Sequence, residues 1–360
     1  MRIAFFVSPH GFGHAARAAA VMEALHTQHP SVHFDLFTTV PEWFFEDSID
    51  GLFEYHPCVA DIGFRQTSPF EFDIGATREA VESFISRAPR EADAMADRLV
   101  ELGCAAVVCD ISPFGLMAAE RAGIPSVLIE NFTWEWLYEP LVAQDPGFGP
   151  IVGWMGARFA AAGQRVQARP RCDPMARSDL VVPPISRRPR RDRAEVRADL
   201  DVGDDAPLVL VTTGGLGQPL PYVADLRKRD DVTFVVTGAE QTLRDGNLRL
   251  FRHAARIFTP DVIRASDWIV AKLGYGTLAE VWAAGRPLGY VGRKGFRETG
   301  PLRDFAQSEI PSLEITEADF STGAWIDRID DLLALHSAPA KTTNGSEPAA
   351  RWIIEATGRV

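Results

Sequence analysis

The sequence predicts an α/β protein of two successive Rossmann-like domains, each a parallel sheet with helices on both faces. Three observations carry this prediction. Short apolar runs rich in β-branched and aromatic residues alternate with segments of helical period, the pattern of βαβ units. The alternation stops at a proline- and arginine-rich interval near 183–206 and then restarts. The chain has 360 residues, and single cores stop growing near ~250–300 residues, so two cores are expected.

In the first half, strands are read at 3–7, 34–38, 105–110 and 126–129, with helices at 15–26 and 77–102. The runs at 106–109 and 126–129 lack polar alternation, as strands covered on both faces do. The interval 186–206 carries Arg187, Arg188, Arg190, Arg191, Arg193 and Arg197, with Pro189 inside it and Pro183 and Pro184 just before. It reads as a solvated linker; a basic binding patch is the rival reading. Beyond it, strands fall at 208–212, 233–237, 269–271 and 288–291, and helices at 221–229 and 277–284. The stretch 338–348 is small and polar, the signature of a mobile loop, and 349–357 can close the chain as a short helix. The expected organisation is an N-terminal Rossmann-like domain at 1–185, a linker at 186–206, a C-terminal Rossmann-like domain at 207–337, and a loop with a closing helix at 338–360.

Composition narrows the function. A formal charge of −12 argues against a general nucleic-acid binder, because phosphate-backbone affinity needs excess Lys and Arg. Cys58, Cys104, Cys109 and Cys172 show no CxxC pair or zinc-ligand spacing, so neither a metal site nor a redox motif is expected. The N-terminus enters a strand at once without a signal peptide's apolar segment. No run approaches the ~18–20 apolar residues of a membrane-spanning helix. A cytoplasmic protein is expected, with peripheral membrane contact left open. No period of 20–50 residues repeats, which excludes a solenoid.

In open α/β sheets, ligands bind at the C-terminal ends of strands, so the motifs are sought there. Ser8-Pro9-His10-Gly11-Phe12-Gly13-His14 lies between the first strand and the first helix. Gly11 and Gly13 permit a tight turn and close approach to a ligand, and the helix offers free N–H groups and its positive end to an anion. His14, at the start of that helix, is suited to be a neutral general base taking a proton from a hydroxyl; a capping histidine in a glycine turn is the plain alternative. Thr212-Thr213-Gly214-Gly215-Leu216-Gly217 ends another apolar strand, and its glycines can form a nest of N–H groups for a diphosphate. Lys272-Leu273-Gly274-Tyr275-Gly276-Thr277-Leu278-Ala279-Glu280 spans a strand-to-helix junction. Here Thr277 and Glu280 read either as a capping box or as a phosphate contact and a carboxylate for ribose hydroxyls. Asp61, Asp110 and Glu130 each follow or end a strand and either position an acceptor, serve as alternative bases or cap a helix. The aromatic cluster Trp134, Trp136 and Tyr138 reads equally as a sugar-stacking surface or a packed loop.

The order of a glycine loop with histidine, a second glycine loop and a GxGTxxE helix resembles GT-B glycosyltransferases such as the peptidoglycan N-acetylglucosaminyltransferase. A nearer resemblance, over roughly residues 1–310, is to the glycosyltransferase-like N-terminal half of L-arabinokinases. It is carried by residues His10 to Arg17, by Asn131-Phe132-Thr133-Trp134-Glu135, by Lys272 to Glu280, and by Phe296-Arg297-Glu298 with Leu302. The resemblance implies two facing domains with a cleft for a nucleotide sugar. It also implies His14 as the catalytic base and Gly13, Gly214, Gly215, Lys272, Gly274, Gly276, Thr277 and Glu280 on the donor, with the base held near 258–262. His10, Asp110, Glu130 and Asn131 would lie on the acceptor side. The arabinokinase half is followed by a sugar-kinase domain that this sequence does not contain.

The expected activity is nucleotide-sugar-dependent glycosyl transfer to an acceptor hydroxyl, inverting and metal-independent, of hexosyl or N-acetylhexosaminyl type. A UDP-sugar is the favoured co-substrate and no tightly bound cofactor is expected. A nucleotide-sugar hydrolase or 2-epimerase on the same fold, and a non-catalytic sugar-nucleotide-binding module, are the rivals.

Overall fold

A computed structural model describes residues 1–214, 220–252, 255 and 257–356. The chain divides into two compact units: the first comprises Met1–Arg65, Phe72–Ser186 and Asn344–Val360, the second Gln66–Glu71 and Arg187–Thr343.

The first unit holds a parallel sheet of seven strands: β1 (Arg2–Val7), β2 (His33–Thr38), β3 (Phe53–Pro57), β4 (Cys104–Asp110), β5 (Ser126–Glu130), β6 (Gln164–Ala168) and β7 (Leu180–Val182), in the order β3-β2-β1-β4-β5-β6-β7. Helix α1 (Phe12–Gln28) follows β1, α2 (Ile74–Glu101) precedes β4, and α3 (Pro113–Ala122) follows β4. Ile3, Ala4, Phe5, Phe6 and Val7 are fully buried, as a central strand covered on both faces must be. The next helix is rich in alanine, a strong helix former whose small side chain lets α1 lie close to the sheet; Ala15, Ala16, Ala18, Ala19 and Ala20 are all buried. Asp73 caps α2 by accepting from Ala76 N at 2.8 Å. Ser112 caps α3 through Gly115 N at 3.0 Å, and Gly123 closes it at φ 66°, the left-handed geometry glycine favours.

The second unit repeats the plan with β8 (Leu208–Thr212), β9 (Thr233–Ala239), β10 (Leu243–Asp245), β11 (Leu248–Arg252), β12 (Trp268–Lys272), β13 (Leu288–Val291) and β14 (Ser312–Ile315). Their order is β10-β11-β9-β8-β12-β13-β14, parallel throughout except where β10 pairs antiparallel with β11. Helices α4 (Arg193–Asp199), α5 (Thr259–Ala265) and α6 (Tyr275–Ala284) belong to this unit, and α7 (Ser346–Ala356) returns to the first. Val209, Val211, Phe234, Val236, Val270 and Val291 pack with Phe320 and Trp325 in its core, which Phe70 also joins.

Two expectations are corrected. The arginine-rich interval is not a solvated linker: it contains α4, opened by an Asp192/Glu195 capping box, and Arg187 and Arg197 are buried. Arg197 is satisfied by the Gly203, Ala206 and Ala265 carbonyls and by Asp267, and a guanidinium whose donors are met can leave water. The stretch 338–348 is not loose either. Ala338 N and Lys341 N donate to Gly285 O and Ala283 O at 2.8 and 2.9 Å, and Asn344 Nδ2 donates to Ser186 O at 2.7 Å. Helix α7 then buries Ala349, Ala350, Ile353 and Ile354 and packs along α1. Among the described residues, no helix is long and apolar enough to cross a membrane.

Candidate functional site

Each sheet has a topological switch point, where successive connections leave in opposite directions and loops part to leave a crevice. In the first unit it lies between β1 and β4, and in the second between β8 and β12.

At the first switch point the chain leaves β1 through Ser8–Gly11, and Gly11, at φ 76°, admits the turn into α1. His14 stands in the first turn of α1, buried, with Gly13 before it and His10 in the loop. Its Nδ1 lies 2.7 Å from Oδ1 of Asp110, the last residue of β4. An ionised carboxylate only accepts, so Nδ1 carries the proton and Nε2 is the basic nitrogen. Arg17, one turn further along α1, spans the same carboxylate: Nε donates to Oδ2 and Nη2 to Oδ1, each at 2.7 Å. Its Nη1 donates to Asn131 Oδ1 at 2.5 Å. Nη2 also lies 3.3 Å from His14 Nδ1; with protons on both nitrogens, this is crowding rather than a bond. Burial drives the Asp110 carboxyl up, but the Arg17 charge and the hydrogen bonds from His14 and Arg17 outweigh it and hold the group below the usual carboxylate range.

Beneath this group, Asp61 is fully buried and accepts from Ser8 Oγ at 2.9 Å. Burial above all pushes its carboxyl up to about 8, so near neutral pH it is largely an uncharged acid. Gly63 lets the chain pass the His10 ring, since a Cβ there would sit 2.4 Å from His10 and 2.7 Å from Trp134. Trp134 itself is fully buried against Tyr138, with ring centroids 5.6 Å apart. Trp134 and Tyr138 are therefore packed inside, on a short helix, Trp134–Tyr138, rather than in a loop.

The sequence-predicted acceptor residues separate on inspection. Asp110 and Asn131 join His14 in one network. Glu130 is wholly buried inside the sheet and pairs with Arg165 at 2.9 Å, with burial raising its carboxyl against the pull of that arginine. His10 is half-buried beside Phe64 and Trp134.

At the second switch point, Gly214 follows β8 at φ 78°, and its N–H donates to Thr212 Oγ1 at 3.2 Å. Gly215 lies outside the described residues. Lys272 ends β12, and its Nζ is 3.9 Å from the place a Cβ on Gly214 would take. Burial first, and Arg293 second, bring the Lys272 ammonium down to about 7, as expected for a buried lysine with a like charge nearby. Arg293 and Glu298 form a buried ion pair, with the guanidinium 3.9 Å from the Phe296 ring centroid.

Helix α6 starts at Tyr275 with Gly274 as its N-cap. Gly276 and Thr277 lie inside its first turn, so the Thr277/Glu280 capping box does not form. Glu280 is instead buried and accepts from Arg187 Nε at 2.9 Å. Burial raises its carboxyl and Arg187 opposes the rise. The guanidinium groups of Arg187 and Arg190 lie 5.0 and 5.2 Å from the ring centroid of Phe258, within cation–π range.

A cluster of metal-ligand type, His33, Asp35 and Glu54, brings ligand atoms within 4.8 Å of one another. It lies at β2 and β3, and Arg2 already spans it, donating to Asp35 at 2.6 and 2.9 Å and pairing with Glu54 at 3.3 Å. Sequence reading missed Arg17 as a site residue and Arg187 as the partner of Glu280. The available signal was an arginine inside an alanine-rich run, since a charge on a buried helical face requires a partner.

No family model matches the chain. It is similar to L-arabinokinase of Arabidopsis thaliana, 28% identical over 366 residues that cover 99% of this chain and 34% of that protein. The chain thus spans about a third of that relative's length. Among solved structures, it is similar to a UDP-glucosyltransferase from Polygonum tinctorium capable of glucosylating indoxyl, with TM-score 0.64, 13% identity, and 100% and 99% of the two chains covered. It is also similar to MurG of Acinetobacter baumannii, with TM-score 0.56, 15% identity, and 98% and 99% covered. The fold is GT-B: two α/β units with parallel-dominated sheets of seven strands each.

Proposed function

We propose that the chain is a nucleotide-sugar-dependent glycosyltransferase in which His14 is the general base, and that it acts by inversion without a metal ion. The observation that carries this reading is the 2.7 Å contact between His14 Nδ1 and Asp110, at the switch point of a fold shared with glycosyltransferases. It fixes one tautomer and turns Nε2 into the proton acceptor.

In the proposed reaction, Nε2 takes the proton of the acceptor hydroxyl as its oxygen attacks the anomeric carbon. The bond from that carbon to the diphosphate oxygen breaks, and the diphosphate leaves with the electron pair. A single displacement of this kind inverts the carbon. The Gly214 turn, the N-terminus of α6 with Gly274, Gly276 and Thr277, and the Lys272 ammonium are the groups suited to the departing charge. Glu280 is assigned to the ribose hydroxyls and the segment 258–262 to the base. A UDP-sugar is the favoured donor, in keeping with the UDP-glucosyltransferase among the similar structures.

The test is release of free nucleoside diphosphate from UDP-, dTDP- and GDP-sugars, with and without a panel of hydroxyl acceptors, comparing the wild type with His14→Ala. Acceptor-dependent release that His14→Ala abolishes supports the reading. Release that needs no acceptor moves the assignment to a nucleotide-sugar hydrolase. Tight binding with no turnover in any mixture leaves a sugar-nucleotide-binding module.

A further inference from the structure

His14 and Asp110 do not stand as an isolated pair. A fully buried arginine takes both oxygens of the same carboxylate, and a third residue, Asn131, holds the far side of its guanidinium at 2.5 Å. A histidine backed by an aspartate alone feels the whole negative charge, which stabilises the imidazolium and raises the basicity of the ring. Here that charge is met by a fixed positive charge one turn along the helix that carries the imidazole.

We propose that Arg17 is a positioning residue that sets the basicity of His14: it aims the Asp110 carboxylate at Nδ1 while cancelling much of its charge. The catalytic meaning of this proposal rests on the reading of His14 as a base. The fork donates along two lines at 2.7 Å and fixes the carboxylate plane. Asn131 and the end of β4 fix the fork in turn, so the hydrogen bond to His14 keeps its direction without a full counter-charge behind it.

Among the described residues, the charges and side-chain hydrogen bonds that act on the Asp110 carboxylate come from Arg17 and His14. Phe132 and Trp134 contribute ring contacts at 5.7 and 6.2 Å. Asp61 accepts from Ser8, and burial raises its carboxyl to about 8. Glu130, which also feels the Arg17 charge, is paired with Arg165. The consequence is an imidazole that stays unprotonated, and so able to accept a proton, at a pH where a plain histidine–aspartate pair is charged.

The experiment follows the His14 Cε1–H resonance by NMR from pH 5 to 9, assigned by its loss in His14→Gln, in the full chain. In Arg17→Met the titration midpoint is expected to rise by about one unit or more, because a facing cation has gone. Arg17→Lys, which keeps the charge and loses the fork, is expected to stay nearer the wild type. Should Arg17→Met not fold, Asp110→Asn is compared with Asp110→Asn/Arg17→Leu, which buries no unpaired ion. The double variant is then expected to titrate about one unit or more above the single one.

A purely structural arginine would change stability and leave these midpoints equal. Equal midpoints overturn the proposal whether or not the protein turns over a nucleotide sugar. A shifted midpoint in a protein that consumes no nucleotide sugar upholds the charge coupling and removes the transferase reading alone.

Discussion

The two units order their central strands alike about the switch point, the second adding an antiparallel strand at one edge, and differ in what they place there. In the first, the polar groups are locked to one another: His14 to Asp110, Asp110 to Arg17, Arg17 to Asn131. In the second, a lysine stands at a glycine turn, and the one carboxylate on α6 is held by Arg187. A crevice that must orient a single proton transfer gains from a fixed hydrogen-bond chain. One that must receive and release a charged leaving group gains from cations and backbone amides. The same arrangement of strands about a switch point can therefore serve both roles, and the difference lies in the residues at the strand ends.

That contrast can be broken by substitutions that act on one unit and leave the other intact. The largest effect is expected from His14→Ala, which should lower kcat/KM for transfer by about 10²–10⁴-fold, the usual contribution of a general base. The Kd for the nucleotide, measured by calorimetry, should stay within about twofold; a comparable loss of nucleotide affinity would mean the two units do not divide the work this way. Glu280→Ala acts on the other side. It leaves Arg187 buried beside an empty place and should cost about 3–5 kcal/mol of stability in urea unfolding, with Glu280→Gln costing less. A change below about 1 kcal/mol would show that the pair is solvated in solution.

Gly63→Ala should destabilise by about 1–3 kcal/mol, because its Cβ meets His10 and the buried Trp134 ring and cannot be accommodated without a shift. A further effect concerns pH. The Lys272 ammonium is brought from 10.5 to about 7 in the folded chain, so the unfolded chain binds the extra proton between those values. Stability should therefore rise with pH from about 7 to 10.5 at this residue. Pyrophosphate affinity should run the other way, falling as pH rises through about 7. Lys272→Met should flatten that dependence, and a slope unchanged in the variant would assign it to another group.

Much of the fold was legible because the central strands are continuous apolar runs followed by glycines, as at Val7 and Thr212. Edge strands were harder to read. β7 and β10 are three residues each, and their mixed exposure gives neither alternation nor a continuous apolar run. The helix at 221–229 shrinks to Val223–Leu226, flanked by Pro221 and by the charged run that begins at Arg227. Within the site, the position of His14 was readable from its loop, but its partner lies 96 residues away, and no local spacing reports a pairing of that kind. Of the two readings of Thr277, the capping one fails because Gly274, which carries no side-chain oxygen, is the N-cap. The buried arginines were hidden by a rule that holds on average: charge runs face water unless backbone carbonyls satisfy them, and for Arg197 they do.

The return of α7 to the first unit makes the second an almost uninterrupted insertion, Arg187–Thr343, within the chain of the first. Such an arrangement favours modular exchange. The second unit could be replaced as one cassette while both termini and the His14 network stay with the host. The exception is the hexapeptide Gln66–Glu71, which belongs to the second unit from the middle of the first. Phe70 packs into that core, 6.0 Å from the Phe320 ring. A cassette that does not offer a matching apolar socket would leave an exposed phenylalanine on the host, so the success of an exchange is written in one side chain.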